Sequence, residues 1–257
     1  MSTQLNIFDY APGDHVESDI EPVEVDADWL GPNDCFVGPL RCRMQVCVGP
    51  NQRAADELKK VTDEVYAITN DYRAFETCCE MWWATLERYS GGEARYMELV
   101  GKWPAEAVRV ASKGMGVLLN HFVYGGGFDD LLGRVYMQVR SDWGGKYMGQ
   151  YFTPWALARA MARLSMGGLD QERLECGPAY SLADDCGCGS GVMLLAARSY
   201  VAEKFGRRAL RNVLVHGVDK DQVCVTMCRI QMRMTNVPWM MNFLAATYSD
   251  MARGVTP

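Results

Sequence analysis

Asp185-Cys186-Gly187-Cys188-Gly189-Ser190-Gly191 follows the apolar run Tyr180-Ser181-Leu182-Ala183 and leads into Val192-Met193-Leu194-Leu195-Ala196-Ala197. A short strand that breaks into a glycine-rich loop and then a helix is how α/β domains hold a nucleotide-like ligand. The glycines let the backbone approach the ligand, and the carboxyl end of the strand sets the crevice. A second strand is expected at Val213-Leu214-Val215-His216-Gly217-Val218, ending at Asp219. An acid there can accept hydrogen bonds from both hydroxyls of a ribose, with Asp221 a nearby alternative. Upstream stands Gly149-Gln150-Tyr151-Phe152-Thr153-Pro154, and its proline suits the first turn of the helix expected from Trp155 to Met161. Read alone, that element is a helix start with an aromatic staple. Beside the glycine loop it reads as a second wall of a ligand site.

These words together resemble the S-adenosylmethionine site of the adenine-N6 DNA methyltransferases, in particular the modification subunits of type I restriction systems. Asp185 matches the leading acid of the family's loop, and Cys188-Gly189-Ser190-Gly191 matches its ending. Cys186 and Gly187 stand where the family usually has Pro and Ala. Asp130-Leu131-Leu132-Gly133-Arg134-Val135-Tyr136 also resembles what precedes the family's upstream element. The resemblance implies S-adenosyl-L-methionine as cofactor, with Phe152 and Thr153, flanked by Tyr151 and Pro154, against its methionine end. It further implies an α/β, Rossmann-like methyltransferase fold, here truncated after about three strands and preceded by a helical region. DNA is the implied substrate, restriction–modification the implied setting and the cytoplasm the implied location.

The family also carries an Asn/Asp-Pro-Pro-Tyr/Phe element, whose polar groups accept hydrogen bonds from the target amine while its aromatic ring stacks on the flipped base. The nearest string is Asn236-Val237-Pro238-Trp239. It follows Asp219 so closely that one helix consumes the interval, leaving no room for a third strand and its crossover. Asn236, Pro238 and Trp239 are therefore weak catalytic candidates and read better as the loop ending that helix. Room for one more strand remains near Met241–Ala246. With the later strands missing, strand 181–185 would present a bare edge, to be covered by the helical region, by a second copy in a homo-oligomer, or by another polypeptide. Two functions stay open. One is a DNA adenine-N6 methyltransferase-like protein that is inactive alone or completed by a partner chain. The other is a non-catalytic scaffold of phage or plasmid type, serving anti-restriction or replication.

Composition is that of an ordinary globular protein, with 49% hydrophobic and 23% charged residues in 257. No apolar stretch is long enough for a membrane span, and the N-terminus lacks the basic, apolar pattern of a signal peptide. The formal net charge of −6 is concentrated at the start of the chain. Asp9, Asp14, Glu17, Asp19, Glu21, Glu24, Asp26, Asp28 and Asp34 stand there with no Lys or Arg among residues 1–34; setting those nine aside leaves 23 of the 32 acids against 26 bases. A body so weakly basic neither demands nor excludes nucleic acid. Ten cysteines in so long a chain suit reduced thiols better than a disulfide scaffold. Cys186 and Cys188 lack two further ligands for a structural zinc, no second cluster has the spacing, and His15, His121 and His216 are too few for a histidine-rich site, so no metal is expected.

Three regions are expected. Residues 1–50 form an acidic, Pro-containing, largely extended segment, within which Gln4-Leu5-Asn6-Ile7-Phe8 resembles the peptide that docks bacterial proteins on the sliding clamp. Chance likeness or folding back on the body is the simpler reading of that pentapeptide. Residues 51–143 form a helical region, in which Leu58, Val61, Val65, Ile68, Tyr72 and Phe75 fall on one face of a helix running from Ala54 to about Tyr89. Trp82 and Trp83 continue it as core. Pro104 opens a second helix to about Asn120, and Asp129-Asp130 cap a third. Residues 144–257 form the ligand-binding α/β domain, where Cys224 and Cys228 share the buried face of a helix.

Overall fold

A computed structural model describes residues 34–37, 40–43, 47, 49–88, 91–142, 152–177, 179–184 and 187–236. Strands β1 (Asp34–Val37) and β2 (Leu40–Arg43) pair antiparallel. Helices α1 (Gln52–Thr69), α2 (Ala74–Leu86), α3 (Gly92–Val100), α4 (Ala105–Leu118) and α5 (Leu131–Asp142) follow. Then come α6 (Trp155–Ser165), α7 (Gln171–Cys176), β3 (Tyr180–Asp184), α8 (Val192–Phe205), β4 (Val213–Gly217) and α9 (Gln222–Met234). A π-helical stretch, Leu119–Tyr124, extends α4, and a 3-10 stretch, Arg207–Asn212, precedes β4.

β3 and β4 pair in parallel, with Leu182 opposite Val215 and Asp184 opposite Gly217. The connection between them runs through α8, as parallel pairing requires. Among the described residues the molecule is mostly helical with this small parallel sheet. That is consistent with a methyltransferase domain and stops short of a full doubly wound sheet. No helix among them is long and apolar enough to cross a membrane.

The single long helix expected from Ala54 to Tyr89 is two helices. Asn70 adopts the left-handed conformation at φ 52°, where its amide closes on Tyr66 O, and Asp71 Oδ1 then accepts the amide of Arg73. Asn tolerates that conformation because its short polar side chain bonds locally. Tyr72, expected on the buried face, therefore lies in the turn and is exposed. Leu58, Val61, Val65 and Phe75 are buried as their spacing requires. Trp82 is buried, with its indole N–H donating to Ala111 O at 2.9 Å.

Two apolar clusters share one wall. The first gathers α1, α2, α4 and α5; the second gathers α6, α8, β4 and the glycine loop. Helix α9 serves both, giving Cys224, Met227, Ile230 and Met234 to the first and Cys228 and Met232 to the second. The 3.6-residue period makes this possible in a helix buried on most of its circumference, with Arg229 and Arg233 on its half-buried face. Gln231 is a polar residue buried between those faces. Two arginines are buried as well. Arg198 donates to Thr235 O at 3.0 Å, and burial pulls its guanidinium down to about 9. Arg207 points toward Phe122 O at 3.4 Å and lies over the Phe128 ring.

Candidate cofactor site

The loop after β3 is held by its own backbone and by the loop after β4. The Cys188 amide donates to Val218 O at 2.8 Å, and the Gly191 amide donates to Cys188 O at 2.8 Å. Gly187, Gly189 and Gly191 take φ values of 119°, 54° and 92°, a region in which a β-carbon is strained. Two of them also accommodate neighbours. A β-carbon on Gly189 would lie 3.1 Å from the Phe152 ring, and one on Gly191 would lie 2.7 Å from Cys228 Sγ.

Asp219 stands beyond the carboxyl end of β4 and faces this loop. Its Oδ2 accepts the Gly189 amide at 2.8 Å, and its Oδ1 accepts the Asp221 amide at 2.9 Å. A carboxylate offers about four lone-pair positions, so both oxygens keep one for a ligand hydroxyl. Asp219 is half-buried and therefore reachable from solvent. Asp221, the alternative, spends Oδ1 as the N-cap of α9 on the amide of Val223 at 3.0 Å. Asp219 is the better placed of the two.

Phe152 closes the crevice from another side. Its ring stacks on Tyr136 at 5.9 Å between centroids, and Tyr136 in turn lies 5.5 Å from Phe75. Arg140 lies over the Tyr136 ring, and burial pushes the Tyr136 phenol up to about 12. The aromatic row anchors Phe152 to the first core from α5. Thr153 is half-buried beside it, and Pro154 N-caps α6. The described members of the expected site that meet directly are thus Phe152, Gly189 and Asp219. Tyr151, Asp185, Cys186, Pro238 and Trp239 lie outside the described residues, as do Gln4–Phe8. Asn236 ends α9, its amide donating to Arg233 O at 3.1 Å, the geometry of a helix-ending turn.

The loop rests on a buried polar hub that sequence reading assigned only to helix capping. Ser190 Oγ donates to Asp130 Oδ2 at 2.7 Å, and Gln231 Nε2 donates to Asp130 Oδ1 at 2.9 Å and to Ser190 O at 2.7 Å. Asp130 Oδ1 also accepts the Gly133 amide at 3.1 Å, which is the capping contact. Burial raises the Asp130 carboxyl above its ordinary range, against the pull of these donors and with the charge of Asp129 adding to the rise. Its neighbour Asp129 turns the other way. It meets His121 Nε2 at 2.7 Å, pairs with Arg134 and accepts the Asn51 amide at 3.3 Å. Burial pushes the Asp129 carboxyl up, but His121, Arg134 and Asn51 outweigh it and leave it below the ordinary value. The signal in the sequence was Asp129-Asp130 followed by Gly133, read correctly as a cap and incompletely as a joint.

This crevice fits an S-adenosylmethionine-like group on one specific ground. Gly187 is exposed at positive φ, and among the described residues a β-carbon there would find only Asp219 Oδ2, at 3.8 Å. The backbone is therefore open to a ligand's close approach beside the acid that would take its hydroxyls. The match to the family model described as N-6 DNA Methylase spans residues 128–250, which begins just before the Asp129-Asp130 pair and includes the loop and Asp219. Over residues 128–250 the chain is similar to the N-6 DNA methylase family. No curated protein and no solved structure matches the chain. The N-6 DNA methylase-like segment thus starts inside the helical region and takes α5, with its buried hub, as part of itself.

Proposed function

We propose that this N-6 DNA methylase-like segment binds S-adenosyl-L-methionine in the crevice between the loop after β3 and Asp219, and serves methyl transfer to adenine N6 in DNA. The observation that carries the reading is the Gly189–Asp219 hydrogen bond, which ties the glycine loop and the strand-end acid into one preformed wall. The bound cofactor supplies an electrophilic methyl group. Asp219 accepts hydrogen bonds from the ribose hydroxyls, Phe152 packs against the methionine end, and the loop amides and open glycines fix the backbone around it. Such a site works by placement, since an in-line attack by an amine needs the reacting atoms held in contact.

The amine-accepting half is assigned to a partner chain. Among the described residues β3 pairs only with β4, and its Ser181 and Ala183 are exposed. Leu157, Met161 and Leu164 of α6 are also exposed at helical spacing. Calorimetric titration with S-adenosylmethionine tests the first half of the proposal, and saturable binding is expected. Tritium transfer from labelled cofactor to unmethylated DNA, alone and with candidate partner chains, tests the second. Cofactor binding without transfer under any pairing would leave a scaffold function in its place.

A further inference from the structure

We infer that Asp130 is a positioning residue for the glycine loop: through Ser190 and Gln231 it holds that loop to α5 and α9 in the conformation that receives the ligand. The inference rests on the reading of the loop as the cofactor site, and it assigns a role to a residue that touches no ligand.

The geometry leaves Asp130 no other task of comparable weight. Its two carboxylate oxygens take three donors from three parts of the chain: the α5 backbone at Gly133, the α9 side chain of Gln231 and the loop hydroxyl of Ser190. Gln231 is fully committed to the same joint. Its Nε2 serves both Asp130 and Ser190 O, and its Oε1 accepts the Leu132 amide at 3.1 Å. Asp130, Ser190 and Gln231 are all buried, so water does not compete for these bonds. Gly133 lacks a side chain where a β-carbon would overlap both Asp130 and Ser190 Oγ.

Position within the loop makes the consequence local. Ser190 stands between Gly189, whose amide reaches Asp219, and Gly191, whose amide closes the turn on Cys188 O. Neither glycine has a side chain to pack, so between Cys188, which enters the second core, and α8 the loop's side-chain contacts fall to Ser190. The Ser190 contacts provide that anchorage. Asp129, one residue earlier, is bound instead to His121, Arg134 and Asn51, and so provides a matched control within the same turn.

The experiment compares full-length wild type with Ser190→Ala, Asp130→Asn, the double variant and Asp129→Asn. Two quantities are read on folded protein: amide hydrogen exchange at Gly189 and Gly191, and the Kd for S-adenosylmethionine. Ser190→Ala and Asp130→Asn are each expected to speed exchange at those amides and to weaken binding about tenfold, the size of one lost hydrogen bond to a charged group. The double variant should be no worse than the poorer single one, because both remove the same contact. Asp129→Asn should lower the melting temperature while leaving loop exchange and Kd unchanged. Loop exchange and Kd in Ser190→Ala that match wild type, with only stability reduced, would overturn the inference. Ser190→Ala keeps the helix cap, so it decides the matter even where Asp130→Asn does not fold. If wild type does not bind the cofactor, the proposed function fails, and loop exchange in the variants alone decides the role of Asp130.

Discussion

The Gly189 amide donates to Asp219 Oδ2 at 2.8 Å, joining the loop after β3 to the acid after β4. One hydrogen bond thus connects the two features that a ligand with a ribose and a charged tail would need at once. It also means that Asp219 has a structural partner before any ligand arrives. Substitutions there act on the loop as well as on the ligand.

Asp219→Ala should weaken S-adenosylmethionine binding by about 10- to 100-fold while costing roughly 1 kcal/mol of fold stability, since the lost amide contact is half-exposed and water can replace it. Calorimetric titration and denaturant unfolding measured on the same preparation check both halves. A stability loss that accounts for the whole affinity loss would count against a direct contact.

Gly191→Ala should destabilise the protein by about 2–4 kcal/mol, from a strained φ and overpacking together. Its β-carbon would stand 2.7 Å from Cys228 Sγ. Cys228→Ala, made in the same chain, should recover part of that loss by removing the sulfur. Urea unfolding of the two single variants and the double variant gives the coupling. Simple additivity would show that the loop does not press on α9 at this point.

Gly189→Ala should instead cost less stability than Gly191→Ala and harm binding more. At φ 54° the residue sits in the left-handed region, and the Phe152 ring lies 3.1 Å from the new carbon. The ring can shift, at a cost of about 1–2 kcal/mol including backbone strain. Because Phe152 is assigned to the methionine end of the ligand, the displaced ring should raise Kd more than it lowers the melting temperature. Equal effects on the two would place Phe152 outside the site.

Much of this site was legible because its determinants are local. Gly187, Gly189 and Gly191 mark a close backbone approach, Pro154 marks a helix start, and Val213–Gly217 marks a strand before an acid. Asp130 was less legible. Its capping role depends on Gly133 nearby, whereas its partners Ser190 and Gln231 lie far along the chain, and no periodicity announces such a joint. The break at Asn70 was missed for a related reason. The apolar spacing from Leu58 to Phe75 continues through the turn, and only the left-handed tolerance of Asn marks the interruption. The double duty of α9 is not legible either, because the apolar positions of one helix do not say how many cores they serve.

The adjacent aspartates should leave opposite marks on the pH dependence of stability. Asp129, lowered in the folded protein, contributes stability that is present above the unfolded carboxyl value of about 3.9 and is lost as pH falls through its own lower value. Asp130, raised in the folded protein, carries a burial penalty that is present above its folded value and vanishes below the unfolded one. Asp129→Asn should therefore cost about 2–4 kcal/mol at pH 7, as expected when one partner of a buried ion pair is removed, and progressively less below pH ~4. Urea unfolding at a series of pH values checks the sign. A loss that stayed constant down to the acid limit would contradict the His121–Asp129–Arg134 pairing.

The most direct measurement is calorimetric titration of the full chain with S-adenosyl-L-methionine, wild type beside Asp219→Ala. Saturable binding at one site per chain in wild type, weakened at least about tenfold by Asp219→Ala, is the result predicted for a crevice built on the Gly189–Asp219 contact. No heat of binding in wild type at millimolar cofactor, or identical affinity in the two proteins, would contradict it.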